Sequence, residues 1–449
     1  MVLLGFHSTG NKSTRLTGAP KEGTIRGSRR RRKEGMRVSN RRRRIFIMIS
    51  AAMVWGVCEL IVALALPTWH SPVSTMDPRA FIEKHRSRIE YLIGDNTGFI
   101  AFDPTLGWSH KPWGHGDIYQ ANGQGLRADR DYSQTPPPGI LRIATFGDSF
   151  MLGADVEVDQ TWQAVLEGSD SGLEVLNFGV SSYGTGQAVL RYQKEGKAFT
   201  PDIAVLSFIA ENSRRNINTF RPFYLPATGF PLAKPRFRLE GSDLILVDNP
   251  VQSLEQYQEL LDHPETELPR IGRFDAFYQQ YNPSTTHRID NFPSVRASGF
   301  WLRRLKGWWI DHVGGKTEIL DWYSKGPDRN PLLFRIFDLF HDEAVAGEAE
   351  PVFLLFPIHF DYLNAGPDGK MTYQFLVPFL EAKGYSYIDC AVVFQTYLED
   401  GHSWADLFAF GNEGGHYSPL GHRLIASAFQ DLLKDRMTEV QKTLPLPSP

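Results

Sequence analysis

Apolar residues along the chain fall into stretches of different kinds. The first is one unbroken run, Ile45 to Leu66, whose only charge is Glu59 and which Pro67 ends. At helical rise these residues extend about 33 Å, enough to cross a hydrocarbon core of roughly 30 Å. The second kind is short and continuous: "LRIATF" (141–146), "LEVLNF" (173–178), "DIAVLSFI" (202–209), "EPVFLLFPI" (350–358) and "YSYIDC" (385–390). After most of these a loop leads into a segment with helical spacing, such as "GTGQAVLRYQKEGKAF" or the long amphipathic "SPLGHRLIASAFQDLLKDRM". Apolar strands without polar alternation are buried on both faces. The pattern therefore predicts an α/β domain over 139–436, with a five-stranded parallel sheet covered by helices. Such sheets carry their sites at the carboxyl ends of the strands.

The remaining stretches are mixed. Residues 67–138 hold a short helical pattern, "PRAFIEKHRSRIEYLI", then a Gly-, Trp- and Tyr-rich segment closed by "SQTPPPG". We read them as a stalk or approach segment, since three prolines continue neither a helix nor a central strand. Residues 210–349 are too many for a simple crossover. They contain a hairpin pattern, "RFRLEGSDLILVDN", and a helical one with Trp301, Leu302, Leu305, Trp309 and Val313 on its apolar face. An insertion at the carboxyl edge would overhang a site there, so it reads as a cap; a surface subdomain fits equally. Residues 437–449 read as a disordered tail.

Charge sharpens the reading of the first run. The net charge of -3 conceals 14 Lys/Arg against 2 Asp/Glu in residues 1–44, which leaves 34 basic and 49 acidic residues for the rest. Four arginines, Arg41 to Arg44, directly precede the apolar run. A basic flank stays cytoplasmic, so 45–66 reads as a transmembrane signal anchor, 1–44 as a cytoplasmic tail, and everything after Trp69 as extracytoplasmic. The competing reading is a cleaved signal peptide, disfavoured by the length of the run. The basic tail then suits a topogenic or lipid-headgroup role better than nucleic acid. Residues 1–35 show no periodicity, and Met36 is a candidate start. The two cysteines, Cys58 and Cys390, give no disulfide framework.

Chemistry gathers at the strand ends. Ser149, in "FGDSFMLG", follows the first strand and is a candidate nucleophile, although Asp or Ser after a strand is also a good helix cap. Gly179, in "NFGVSSYG", follows the second, where its N–H can point into a site. Asn212, in "AENSRRN", follows the third, and its amide is a candidate oxyanion donor. His416, in "NEGGHYSPLGH", leads into the last helix, with Glu413 placed three residues before it to orient the imidazole. His359 and Asp361 after the fourth strand are weaker candidates for lining a pocket. The arginine cluster Arg214, Arg215 and Arg221 could meet an anionic substrate. His416 and His422 lack the companions a metal site needs, and the chain carries no phosphate-loop or dinucleotide fingerprint.

These ordered segments resemble the blocks of the SGNH (GDSL-type) hydrolase superfamily: Gly147-Asp148-Ser149, then Gly179, then Asn212, then His416 with "HYSPLGHRLIA" around it. The likeness covers about 140–210 and 350–435. It departs at the third block, Ala210-Glu211-Asn212-Ser213 instead of Gly-x-Asn-Asp, and at Glu413, where the family usually has Asp. The resemblance implies a three-layer flavodoxin-like fold and a cofactor-free serine esterase or acyl hydrolase. Its triad would be Ser149, His416 and Glu413, and its oxyanion hole Ser149, Gly179 and Asn212. Combined with the topology, it implies deacylation of a cell-envelope or exported polysaccharide. The alternatives are a polysaccharide O-acetyltransferase using the same serine and a non-catalytic glycan-binding protein with an eroded site.

Overall fold

The computed structural model describes residues 40–65, 76–94, 98–278, 330–364 and 369–443. Helix α1 (Asn40–Ala65) contains a stretch, Arg42–Val62, that is long and apolar enough to cross a membrane. The folded body opens with α2 (Pro78–Glu83), α3 (Arg86–Ile93), β1 (Ile100–Asp103) and β2 (Gly107–His110). Next come β3 (Leu141–Phe146), α4 (Ser149–Leu152), α5 (Trp162–Ser169), β4 (Leu173–Asn177) and α6 (Thr185–Lys194). The third crossover starts from β5 (Ile203–Phe208) and holds α7 (Asn212–Arg215), β6 (Arg236–Glu240), β7 (Asp243–Val247), α8 (Leu254–Asp262), α9 (Pro264–Ile271) and α10 (Asn330–Ala346). The chain closes with β8 (Glu350–Leu355), α11 (His359–Asn364), α12 (Val377–Lys383), β9 (Ser386–Asp389), α13 (Cys390–Glu399) and α14 (Pro419–Thr443).

The five continuous apolar runs form one sheet, in the order β4-β3-β5-β8-β9, with every neighbouring pair parallel. Side chains alternate across it because the strand period is two. Ile143, Val175, Val205, Val352 and Leu354 pack with Trp162 of α5, Phe394 of α13 and Ile425 and Phe429 of α14. Ala144, Phe146, Leu176, Leu206, Phe353 and Leu355 face the other way, onto Val189 of α6 and Ile336, Phe337 and Phe340 of α10. Both faces of β3, β4, β5 and β8 are dry, which is why these strands read as apolar runs, and each fully buried Leu, Ile or Phe stabilises by about 1.5–3 kcal/mol. This is the expected three-layer α/β/α architecture.

A buried ion pair sits at the amino end of the sheet, away from the strand ends that carry chemistry. Arg142 is wholly buried, and Glu174, opposite it on β4, accepts from its Nε at 3.0 Å and Nη2 at 2.5 Å. The carbonyls of Gln134 and Phe199 take the other Arg142 donor, both at 2.7 Å. A buried cation needs these partners, because removing one member of such a pair strands the other charge.

Residues 76–132 are more than a stalk. Ile82, Ile89, Leu92, Trp108 and Leu126 belong to the same core cluster as the α6 face of the sheet. Trp108 Nε1 donates to the Ser181 carbonyl at 2.9 Å, and the Tyr183 hydroxyl donates back to Trp108 O. Described parts of the insertion also pack on this segment. The expected hairpin forms as antiparallel β6–β7, Arg79 pairs with Glu265 at 2.7 Å, and Phe102 meets Tyr257 edge to face. The helical pattern around Trp301 to Val313 lies outside the described residues. At the C-terminus α14 continues to Thr443, past the point where the sequence suggested an unstructured tail.

Candidate active site

Ser149 stands where β3 ends. Asp148 caps α4, its Oδ1 accepting from Phe150 N–H at 2.9 Å, and this fixes Ser149 as the first helical residue. The helix is only four residues long. Gly153 ends it in the left-handed region (φ +74), and Thr161 Cγ2 would stand 2.7 Å from any Cβ added there. The chain turns sharply at Gly153 and delivers Asp155, itself at φ +70, beside the nucleophile; Asp tolerates that conformation better than most residues.

His416 arrives from the loop before α14. Its Nε2 accepts from the Ser149 hydroxyl at 2.8 Å, and its Nδ1–H donates to Asp155 Oδ2 at 2.7 Å. The same carboxylate oxygen accepts the His416 backbone N–H at 3.1 Å. The tautomer is set by these partners, a hydroxyl on one nitrogen and an acceptor-only carboxylate on the other. Asp155 is half-buried, and the hydrogen bond from His416 holds its carboxyl below the usual range. Phe150 lies against the imidazole, ring centres 4.8 Å apart.

The acid in this arrangement differs from the expected one. Glu413 is exposed on a short 3-10 turn, Gly411–Glu413, and the carboxylate at His416 Nδ1 is Asp155. Gly179 also departs from expectation. Its N–H donates to Asn177 Oδ1 at 2.9 Å and is therefore committed away from an oxyanion. The glycine is needed for another reason: a Cβ at residue 179 would stand 2.3 Å from Leu152 N, so only Gly lets the second strand end approach α4. Asn212, buried at the start of α7, accepts from Arg215 Nη1 at 3.3 Å through Oδ1. Arg215 Nη1 also meets Asp148 Oδ2 at 3.1 Å and the Tyr183 carbonyl at 3.0 Å.

A cleft of about 440 Å³ opens at this edge, lined by Phe150, Ile209, Ile358, Phe360, His359 and His416 together with Glu211, Arg214 and Arg215. His359 thus lines the cleft, its basicity lowered by burial and by the neighbouring His416. Asp361 is buried and structural, accepting from Ile358 N–H and Thr372 N–H, both at 2.8 Å. Arg221 is turned inward, donating to Thr228 Oγ1 and the Ser182 carbonyl. Among the described residues no group of three or more His, Cys, Asp or Glu side chains is placed to hold a metal ion.

His422 belongs to the core, where Nδ1 accepts from Trp162 N–H at 3.1 Å and burial pushes its pKa down to about 3. An unfolded histidine titrates near 6.5, so its share of stability is fully present above that pH. Stability is lost as pH falls from about 6.5 towards 3, by up to ~1.4 kcal/mol per unit. Urea midpoints measured across this window should fall with acid, and less steeply in His422→Asn; an unchanged slope would contradict the neutral, buried imidazole.

No protein-family model and no curated protein sequence matches the chain. Among solved structures it is similar to a member of the lipolytic protein G-D-S-L family from Veillonella parvula, at 12% identity, 66% coverage of this chain, 98% of that one and a TM-score of 0.32. A catalytic mutant of an acetylxylan esterase from Geobacillus stearothermophilus matches at 10% identity, 64% and 92% coverage and a TM-score of 0.31. A two-domain esterase active on acetylated mannans matches at 9% identity, 69% and 52% coverage and a TM-score of 0.33.

Proposed function

We propose that the chain is a membrane-anchored serine esterase of the SGNH type that removes short acyl groups from an acylated glycan on the extracytoplasmic side. The observation that carries the reading is the unbroken relay Asp155–His416–Ser149 at the carboxyl edge of the sheet. Ser149 Oγ attacks the ester carbonyl while His416 Nε2 takes its proton. Asp155 keeps Nδ1 protonated and stabilises the imidazolium, and the oxyanion is received by Ser149 N–H and the Asn212 amide. The imidazolium then protonates the leaving sugar hydroxyl. Water, deprotonated by His416, releases the acid from Ser149 and restores the enzyme. General base catalysis of this kind contributes about 10²–10⁴-fold.

An intact hydrogen-bonded triad argues for catalysis over a binding role with an eroded site. The anchor and orientation are supported by α1 and by Arg41 to Arg44 in its first turns, and the glycan by that placement together with the acetylated polysaccharides named for two of the similar esterases. The test uses the full chain in detergent with acetylated xylan and acetylated mannan, read as acetate released. Release without an added acceptor, with p-nitrophenyl acetate turned over faster than the palmitate ester, is the expected result. Acetate appearing only as a new ester on an added glycan would identify a transferase, and preference for the palmitate ester would contradict the short-acyl assignment.

A further inference from the structure

Arg215 stands at a junction that the serine chemistry does not by itself explain. Its guanidinium is nearly buried, with the side chain 11% exposed, and one nitrogen, Nη1, reaches three acceptors from three strand-end loops. These are Asp148 Oδ2 beside the nucleophile, the Tyr183 carbonyl after β4, and Asn212 Oδ1 after β5. A guanidinium only donates, so the Asn212 atom facing it is the carbonyl oxygen and the amide nitrogen faces away. The third block here lacks the acidic residue that resemblance would place after the asparagine; Ser213 is there instead. Asp148 is tied down by the same cation, and Asp148 also caps the helix that starts at Ser149.

We propose that Arg215 is the positioning residue of the oxyanion hole: it fixes the rotamer and flip of Asn212 so that the amide N–H is presented to the developing oxyanion, and it locks that amide to the nucleophile's own turn through Asp148. Resting on the esterase reading above, the inference names the residue that holds Asn212 in a third block that lacks its acid. A cation on Oδ1 also polarises the amide, so its N–H donates more strongly as negative charge develops on the substrate. The contribution belongs to the transition state and so falls on kcat, with KM left nearly alone. Lysine is a poor replacement, because its ammonium rotates freely on a flexible stem, whereas the planar guanidinium fixes the direction of the Nη1 donors.

The experiment is a double-mutant cycle on p-nitrophenyl acetate with the full chain, in which kcat is referred to the fraction of sites titrated by a fluorophosphonate. Arg215→Gln is expected to lower kcat by about 10²-fold with KM within about twofold. In the Asn212→Ala background the same substitution is expected to cost less than about threefold, because the group it positions is already gone. Multiplicative losses would overturn the inference, as would a rise in KM at unchanged kcat. If Arg215→Gln does not fold, Arg215→Lys keeps a positive charge beside Asp148 and is read in the same cycle; wild-type kcat in that variant would overturn it. Failure of the wild type to label or turn over would overturn the esterase reading instead, so the two outcomes are separable.

Discussion

Asp155→Ala is expected to lower kcat on p-nitrophenyl acetate by about 10⁴-fold, while Glu413→Ala leaves it within about twofold. The difference follows from geometry: Asp155 Oδ2 accepts both the Nδ1–H and the backbone N–H of His416, and Glu413 is exposed on the preceding turn. Without Asp155 the imidazole loses the partner that sets its tautomer, and the imidazolium formed as Ser149 is deprotonated loses its counter-charge. Asp155→Asn is expected to fall nearly as far, since its amide can present a donor to Nδ1 and favour the wrong tautomer. Because the Asp155 carboxyl is held below its usual range by His416, this interaction also stabilises the fold above about pH 4 and is lost as pH falls through the depressed native value. A large loss in Glu413→Ala with activity retained in Asp155→Ala would reverse the assignment.

The second large effect is at the oxyanion. Asn212→Ala is expected to reduce kcat by about 10²–10³-fold, with KM little changed. The loss should be large because Gly179 N–H is committed to Asn177, which leaves the Asn212 amide and Ser149 N–H to receive the charge. Steady-state kinetics on a short-chain ester checks this. A Gly179→Ala variant is expected to be damaged for another reason, the collision of its Cβ with the α4 backbone, and should show as lost folding or lost titratable sites.

How much of this was readable in the chain differs from part to part. Four of the five strands stood out because they are buried on both faces, and burial on both faces leaves no polar alternation to blur a run such as Ile143 to Phe146; the edge strand β9 is only partly buried. Ser149 was legible because a glycine-bounded turn marks the point where a strand hands over to a helix, and His416 because a glycine-rich turn leads into the last amphipathic helix. Asp155 was not. Its proximity to His416 depends on a four-residue helix and a left-handed turn at Gly153, neither of which has a hydrophobic period, and the acid nearer in sequence to the histidine drew the assignment. An acidic residue two positions past the glycine of "MLG" was the available signal. Residues 76–132 were under-read for a similar reason: Trp108 packs into the core from a four-residue strand and Leu126 from irregular backbone, neither with a period long enough for spacing to carry information, and only the density of aromatics pointed inward.

The central claim is that Ser149 is a nucleophile activated by His416. It is tested most directly by intact and peptide mass spectrometry of the full chain after reaction with a fluorophosphonate. The account predicts one adduct per chain, located on Ser149, that fails to form in Ser149→Ala and forms far more slowly in His416→Ala. An unlabelled wild-type protein, or an adduct that survives Ser149→Ala, would contradict it.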